Sequence, residues 1–539
     1  MKTASYITLF ITSVFVFYGC INQEIKEKKT SSTPPLIAPF EGVDSIAIND
    51  WWNRKPNILI ILADDQGYAD LSAYDHAAPD ISTPNMDKLA RDGVLLTNAY
   101  VAAPVCSPSR ASWITGKYSQ RWDNNAGWSP GLPHDVKTLA EYIQEGGYVT
   151  GRVGKNHISN SRRDSYLAAR EHPLNHGFDW FLGTAGGDHS YFLLSDSVYN
   201  ETPDTDQGAH LGPLYHNKGF LSLDTGYTTE IFTDSAMGFM ERHRDTSFFL
   251  VVSYNAVHHL IHEVPKPYLD KYGVPEIPKY DPLTMGNYND YYNTYNKVTP
   301  ISDADMRKYY LANLNCLDDN IGRLLDKVNY LGLKDSTMVI YFSDNGGSPL
   351  TGANNTPLRG SKYRLFEGGI RVPFLLRWPG VIPAGTVYNY RISALDILPT
   401  CLAAAGVPLA RNTLFDGHNM LQALSTNTPS ATHLQPMFWK WQDNNMVLAG
   451  KWKYVTTSDY TLRTPTSQIL QGPVKGKAER LFDLSADPSE QENVLEANPE
   501  ITDSLRQLYE NWEADLSNMT VPVETSKDSM RDFRIDKMK

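Results

Sequence analysis

The chain has 539 residues, 41% of them hydrophobic, which exceeds one typical domain and is enough to bury a large core. Its net charge of −12, from 61 Asp and Glu against 49 Lys and Arg, argues against a nucleic-acid partner, which would need a basic face, yet leaves room for a local basic cleft. Four cysteines, Cys20, Cys106, Cys316 and Cys401, are too few for a disulfide framework; two separate buried thiols at 316 and 401 are expected, with a bridge between them as the alternative.

The chain opens on a targeting segment. Lys2 supplies the positive start, and Tyr6 to Tyr18 form an apolar stretch too short for a membrane span. Gly19-Cys20 reads as a lipoprotein cleavage site with Cys20 lipidated; bulky Phe17 and Tyr18 leave ordinary signal cleavage as the alternative. Either reading exports the protein, to the periplasm or cell surface in bacterial style, with the membrane touched only through the Cys20 lipid. Polar, Pro-containing residues 21–50 suit a flexible tether.

Asn57 to Ala63 is a short, β-branched apolar run and predicts a buried parallel strand. It ends in Asp64-Asp65, where α/β folds place ligands. Adjacent carboxylates beside a buried strand are costly unless a cation meets them. Thr83-Pro84-Asn85 opens a helix carrying Met86, Leu89 and Ala90, and Val94 to Ala99 reads as a strand. Cys106 stands just before a helix start, with Arg110 about one turn on. Backbone N–H groups and the helix dipole favour an anion there, so Cys106 is a candidate nucleophile. Thr138 to Gly146 is a short helix with a Gly stop, and Tyr148 to Val153 a strand with Lys155 and His157 just past its end.

Gly186 to Gly226 has little periodicity, and long loops of this kind tend to be functional; Asp188 and His189 are candidate substrate contacts. Thr228 to His243 is helical, Phe248 to Tyr254 a strand, and His258-His259 follow its end. Pro265 to Pro300 reads as a second long substrate-side loop. Asp303 to Leu331 is a long helix, and the strand Thr337 to Phe342 leads to Asp344-Asn345. Arg359, a further candidate substrate contact, and Lys362 precede a Gly-rich string at Glu367, and Ala394 to Ala405 is a helix closed by Gly406. Short aromatic runs then begin: Met437 to Trp441, Met446 to Ala449, Trp452 to Thr456 and Leu481 to Leu484, with an amphipathic helix at Pro499 to Asn518. The expected fold is α/β: a large, mostly parallel sheet between helices, with a smaller antiparallel sheet and helix after it. Trp439 and Lys440 of that smaller part are further candidates for substrate contact. Asp64, Asp65, Asp344 and Asn345 all donate oxygen, which selects Ca²⁺ or Mg²⁺ over zinc; a loop-built site with many ligands leans to Ca²⁺.

Several strings resemble one family. Cys106-Ser107-Pro108-Ser109-Arg110, running on to Thr115-Gly116, resembles the modification signature of the type I sulfatases. Gly147-Tyr148-Val149-Thr150 through Gly154-Lys155 resembles their second signature, with Asn156 where Trp is common. His176 to Phe181 is similar to a usual family sequence. Asn255-Ala256-Val257-His258 stands where the family reads Asn-Ala-Pro-His, and Glu367-Gly368-Gly369-Ile370-Arg371-Val372-Pro373 and Leu481 to Asn493 also resemble it.

The resemblance implies an alkaline-phosphatase-like catalytic domain over 51–425, between the 1–20 signal and 21–50 tether and a C-terminal subdomain over 426–539. It implies that a maturation enzyme oxidises Cys106 to formylglycine, that the residue joins a Ca²⁺ site, and that Arg110, Lys155, His157, His258 and Lys362 are catalytic. His258 is the expected acid and His157 the expected base. The implied reaction is hydrolysis of a sulfate monoester on a carbohydrate, exo-acting. A phosphonate or phosphate diester hydrolase and a catalytically dead glycan-binding lipoprotein are the alternatives.

Overall fold

The strand Asn57–Ala63 (β1) runs through the middle of the large sheet, and all seven of its residues are buried. Ile58, Ile60 and Leu62 enter the apolar cluster on one face; Leu59, Ile61 and Ala63 enter the cluster on the other. With both faces covered, the strand has no polar alternation to display. Each such Ile or Leu contributes about 1.5–3 kcal/mol by leaving water.

The computed structural model describes residues 55–518, apart from 124–129, 159–165, 188, 195–210, 212, 222–224, 287, 297–300, 410–412, 430–434 and 458–477. The Cys20, tether and Asp188 expectations lie outside the described residues. All described residues belong to one compact unit, Val43–Lys539. Among them no helix is long and apolar enough to cross a membrane.

The other strands of the sheet are Val94–Leu96 (β2), Val149–Lys155 (β3), Trp180–Thr184 (β4), Tyr215–His216 (β5), Gly219–Phe220 (β6), Phe248–Ser253 (β7), Thr337–Ser343 (β8), Phe374–Arg377 (β9) and Thr386–Tyr388 (β10). Their order is β10-β2-β9-β8-β1-β7-β3-β4-β5-β6. The run from β8 to β4 is parallel, with Ile60 of β1 opposite Val251 on one side and Ile340 on the other. Antiparallel pairs occur toward both edges. Parallel neighbours end on the same side of a sheet, so β8, β1, β7 and β3 deliver their C-terminal residues to one place.

Helices cover both faces. Pro84–Arg91 (α1), Thr228–Arg242 (α4) and Asp303–Tyr330 (α5) fill one cluster; Cys106–Thr115 (α2), Leu139–Glu145 (α3) and Ile397–Ala405 (α7) fill the other. The short helix Glu367–Ile370 (α6) leads toward β9. Thr138 closes a capping box with Glu141 at the start of α3. The start of α1 is satisfied from a distance instead: the Asp318 carboxylate accepts the backbone N–H groups of Asn85 (3.0 Å) and Met86 (2.9 Å).

The segment expected as a loop over Pro265 to Pro300 is partly helical, with Lys266–Tyr272, Pro282–Met285 and Tyr288–Asn296. Tyr280, Tyr288 and Tyr291 bury one another there with Leu211 and Leu260. Scattered tyrosines build this small core, so aliphatic periodicity does not reveal it. Cys316 and Cys401 are separate buried thiols.

The antiparallel sheet Met437–Trp441 (β11), Asn444–Ala449 (β12), Trp452–Thr457 (β13) and Ala478–Asp483 (β14) packs on the helix Pro499–Asn518 (α8). Leu505, Tyr509, Trp512 and Leu516 meet Phe438, Val447, Tyr454 and Leu481, and Trp512 stacks on Phe438 at 5.1 Å. Trp439 is not available to a substrate: it is buried, and its indole N–H donates to the Val101 carbonyl at 2.7 Å. Lys440 is tied to Glu513 at 2.9 Å.

Candidate active site

The extended residue Val105 turns the chain into α2, and Cys106 is the first helical residue. All ten residues of α2 are buried, so the helix threads the core without a solvent-exposed face. Gly116 ends it with φ of 64°, a left-handed turn that suits Gly. The Cys106 Sγ lies 3.5 Å from Asp64 Oδ1 at the end of β1. Burial, reinforced by Asp344, pushes this thiol well above its usual range. In the encoded chain Sγ stands where the oxygens of an oxidised side chain would be.

Around it the strand ends place charge against charge. Asp64 pairs with Lys155, the last residue of β3 rather than the residue past its end, and has Arg110 at 3.8 Å. Arg110 holds Asp344 through Nε at 2.8 Å and NH2 at 2.7 Å. Its remaining nitrogen donates to Ser253 Oγ at 2.5 Å and to the Lys155 carbonyl at 3.1 Å. Asp65 accepts from Lys362 at 2.8 Å and from Asn345 Nδ2 at 2.7 Å. His258 Nε2 lies 3.6 Å from the same carboxylate, and His258 is buried where His259 is half-buried.

Asp64, Asp65 and Asp344 are fully buried, as are Arg110 and Lys155, with Lys362 nearly so. Burial opposes every one of these charges, so each depends on its partners. Burial lowers Arg110, Lys155 and Lys362, but the facing carboxylates outweigh it and hold all three above their ordinary values. Burial, then the neighbouring Asp64, raises Asp344 against the pull of Arg110.

The arrangement fits a divalent cation. Ligand atoms of Asp64, Asp65, Cys106 and His258 all lie within 4.8 Å of one another. Asn345 Oδ1 is buried with no hydrogen-bond partner, an oxygen that a hard cation would satisfy. Three carboxylates against three cations leave the cluster without large excess charge, so a dication would leave it positive and receptive to an anion.

The other expected residues are placed as follows. His157, half-buried with φ of 42°, lies against the turn after β4: its N–H donates to Ala185 at 3.1 Å, and a Cβ on Gly187 would come within 2.6 Å of its ring. It is not among the four side chains that converge within 4.8 Å. His189 is buried, with Nδ1 donating to the Ser190 carbonyl at 2.7 Å. Arg359 is half-buried, donates to the Glu490 carbonyl at 2.7 Å and lies over the Phe366 ring at 4.3 Å. Asn156 donates to the Tyr166 hydroxyl at 2.8 Å and the Glu171 carbonyl at 2.7 Å, so it ties the end of β3 to residues 166–171.

Two supporting residues escape the sequence reading. Ser253, the one polar residue closing the apolar strand β7, carried a signal: a hydroxyl at a buried strand end. Tyr191 carried none. Its hydroxyl reaches the carbonyls of Asn255 (2.8 Å) and His258 (2.9 Å), bracketing His258.

Comparison with known proteins agrees with this geometry. Residues 56–407 match the sulfatase family model, and residues 361–516 match that of the C-terminal part of N-sulphoglucosamine sulphohydrolase. Arylsulfatase D of Homo sapiens is 31% identical over 505 residues, covering 81% of this chain and 82% of its own. N-acetylgalactosamine-6-sulfatase of Homo sapiens is 32% identical over 391 residues, covering 69% and 66%. Among solved structures, Ps i-CgsB in complex with k-i-k-neocarrahexaose has a TM-score of 0.69 and 29% identity, covering 88% of this chain and 96% of that one. The phosphonate monoester hydrolase of Agrobacterium radiobacter shares the fold, with a TM-score of 0.55 at 18% identity over 86% of this chain and 96% of its own. The conclusion is that the protein is a sulfuric ester hydrolase with an alkaline-phosphatase-like fold, and the chain belongs to the sulfatase family.

Proposed function

We propose that the protein hydrolyses a sulfate monoester on a carbohydrate, acting at a chain end, with formylglycine made from Cys106 as its nucleophile. The observation that carries this reading is the convergence of Cys106, three buried carboxylates and three buried cations at the C-terminal ends of the central strands. A carbohydrate is supported by the sugar in the Ps i-CgsB complex and by the name of N-acetylgalactosamine-6-sulfatase. The targeting segment supports an exported enzyme, lipid-anchored at Cys20 in the periplasm or at the cell surface and matured by a formylglycine-generating enzyme.

Asp64, Asp65, Asp344, Asn345 and residue 106 would hold Ca²⁺. When bound, the ion supplies charge that favours an ionised hydroxyl and offsets a sulfuryl oxygen. The chain does the rest. Hydrated formylglycine carries two hydroxyls on one carbon. One, deprotonated with help from Asp344, attacks sulfur; the bond from sulfur to the sugar oxygen breaks, and that oxygen takes a proton from His258. Arg110, Lys155 and Lys362 hold the sulfuryl group in line and offset its charge. The second hydroxyl then loses its proton to His157, the carbon–oxygen bond to sulfate breaks, and aldehyde and inorganic sulfate result. Water restores the hydrate. Each of these proton transfers is worth about 10²–10⁴ in rate. A serine or cysteine would end as a stable sulfated enzyme, which is why two hydroxyls on one carbon are needed.

The test is to produce the protein with and without a formylglycine-generating enzyme, quantify the aldehyde at residue 106 by mass spectrometry, and assay sulfate monoesters beside phosphate diesters. Sulfate release should rise in proportion to aldehyde content. Aldehyde-bearing protein that turns over diesters in preference to sulfates would instead establish the diester hydrolase.

A further inference from the structure

One residue of the C-terminal region, Glu490, grips both ends of the segment that carries Lys362. Its backbone carbonyl accepts from Arg359 NH1 at 2.7 Å. Its carboxylate Oε2 accepts the backbone N–H of Glu367, 123 residues away, also at 2.7 Å. Between these two points the segment closes on itself, with the Gly368 N–H donating to the Arg359 carbonyl at 2.7 Å. Lys362 projects from its middle to Asp65 at 2.8 Å.

The grip is electrostatically built. Lys453 of β13 is fully buried, 2.9 Å from Glu367 Oε1 and 2.7 Å from Glu490 Oε1. Glu367 also accepts from the Tyr100 hydroxyl at 2.7 Å and has Arg371 at 3.6 Å. A cluster of buried charges is expensive to assemble, and here Lys453 is shared by two carboxylates, so it keeps Glu367 as its partner when Glu490 is neutral. Glu490 itself sits at φ of 55°, a left-handed conformation that costs a residue with a side chain and persists only where its surroundings enforce it. Neither the reaction nor the cation site uses Glu490, Lys453 or Glu367, yet they join the two strings, Glu367 to Pro373 and Leu481 to Asn493, that the chemistry leaves unexplained.

We infer that Glu490, backed by Lys453, is a positioning residue for Lys362: the C-terminal region fixes how far the loop lysine reaches toward the sulfate group. The inference rests on the reading of Lys362 as a cation that holds that group. Glu490→Ala frees the Glu367 end of the segment, whereas Glu490→Gln keeps an oxygen to accept the Glu367 N–H. A misplacement of about 1 Å in such a group costs on the order of 10²-fold in rate.

The experiment is a double-mutant cycle on the calcium-loaded, aldehyde-bearing full chain, reading kcat and KM for sulfate release from the sulfated sugar that the wild type hydrolyses. Glu490→Ala should lower kcat about 10- to 100-fold in the wild-type background and under about threefold in a Lys362→Met background, because coupled residues are non-additive. Glu490→Gln should stay near wild type. Equal losses in both backgrounds, or no loss in the first, would overturn the inference. Lys362→Met with undiminished kcat would overturn the reading of Lys362 instead. Should Glu490→Ala not fold, Arg359→Gln releases only the other, half-exposed end and must show the same non-additivity at smaller amplitude.

Discussion

Arg110 and Asp344 form an ion pair with no solvent contact in which two guanidinium nitrogens, at 2.8 and 2.7 Å, grip a single carboxylate oxygen, Oδ2. The second oxygen, Oδ1, is left facing the Asp65 backbone N–H at 3.4 Å. One oxygen is thus neutralised by the protein while the other is presented to the cluster.

Arg110→Met leaves Asp344 buried without its partner and should destabilise the protein by about 3–5 kcal/mol. Arg110→Lys should fold better yet lose at least about tenfold in kcat/KM, because an ammonium cannot reproduce the planar fork. Urea unfolding and sulfate-release kinetics on both variants check the pair of outcomes.

Tyr191→Phe removes the donor from two buried carbonyls, one of them that of His258. The expected cost is about 1–3 kcal/mol of stability. Its catalytic signature should follow the leaving group. Turnover of alkyl sulfates, whose alcohols need a proton from His258, should fall more than turnover of nitrophenyl sulfates. Equal losses on both would remove His258 placement as the cause.

Chelation strips the cation that the buried carboxylates are proposed to hold. The melting temperature should drop in chelator and recover on adding Ca²⁺, with Mg²⁺ less effective at equal concentration, since a ligand that binds only the folded state stabilises it. Scanning calorimetry reads this without any substrate. Identical melting with and without chelator would contradict the metal site.

Burial raises the Glu490 carboxyl from 4.5 to about 7; Glu367 adds to this and Lys453 opposes it. An acid whose folded value is raised keeps a proton that the unfolded chain has already lost. Its contribution to stability is therefore full below about pH 4.5 and is lost as pH climbs toward 7. In Glu490→Gln that decline should flatten, whereas the wild type should lose stability across the same window. Denaturant midpoints at a series of pH values check the difference.

The site was legible in the sequence wherever it hangs on a buried parallel strand. The strands β1, β7 and β8 read as nearly continuous apolar runs, and their ends announce themselves: Asp64-Asp65 after β1, His258 after β7 and Asp344-Asn345 after β8, whereas β3 carries Thr150, Gly151, Arg152 and Gly154 and shows Lys155 less plainly. Residues that act across the chain left no such mark. Lys453 and Glu490 reach Glu367 over 86 and 123 residues, a pairing that has no local period. Tyr191 lies in an aperiodic stretch and acts through its hydroxyl on backbone carbonyls. The orientation of Trp439 left no mark either, because an indole in a short strand has the same sequence whether it faces a sugar or, as here, the Val101 carbonyl.

Inorganic sulfate released from a panel of singly sulfated mono- and disaccharides, measured with residue 106 shown to be converted to the aldehyde, decides whether the protein is a carbohydrate sulfatase. Release is expected from one regioisomer and is abolished in Cys106→Ala. Aldehyde-bearing protein that releases sulfate from no sugar while hydrolysing phosphate diesters would contradict that reading.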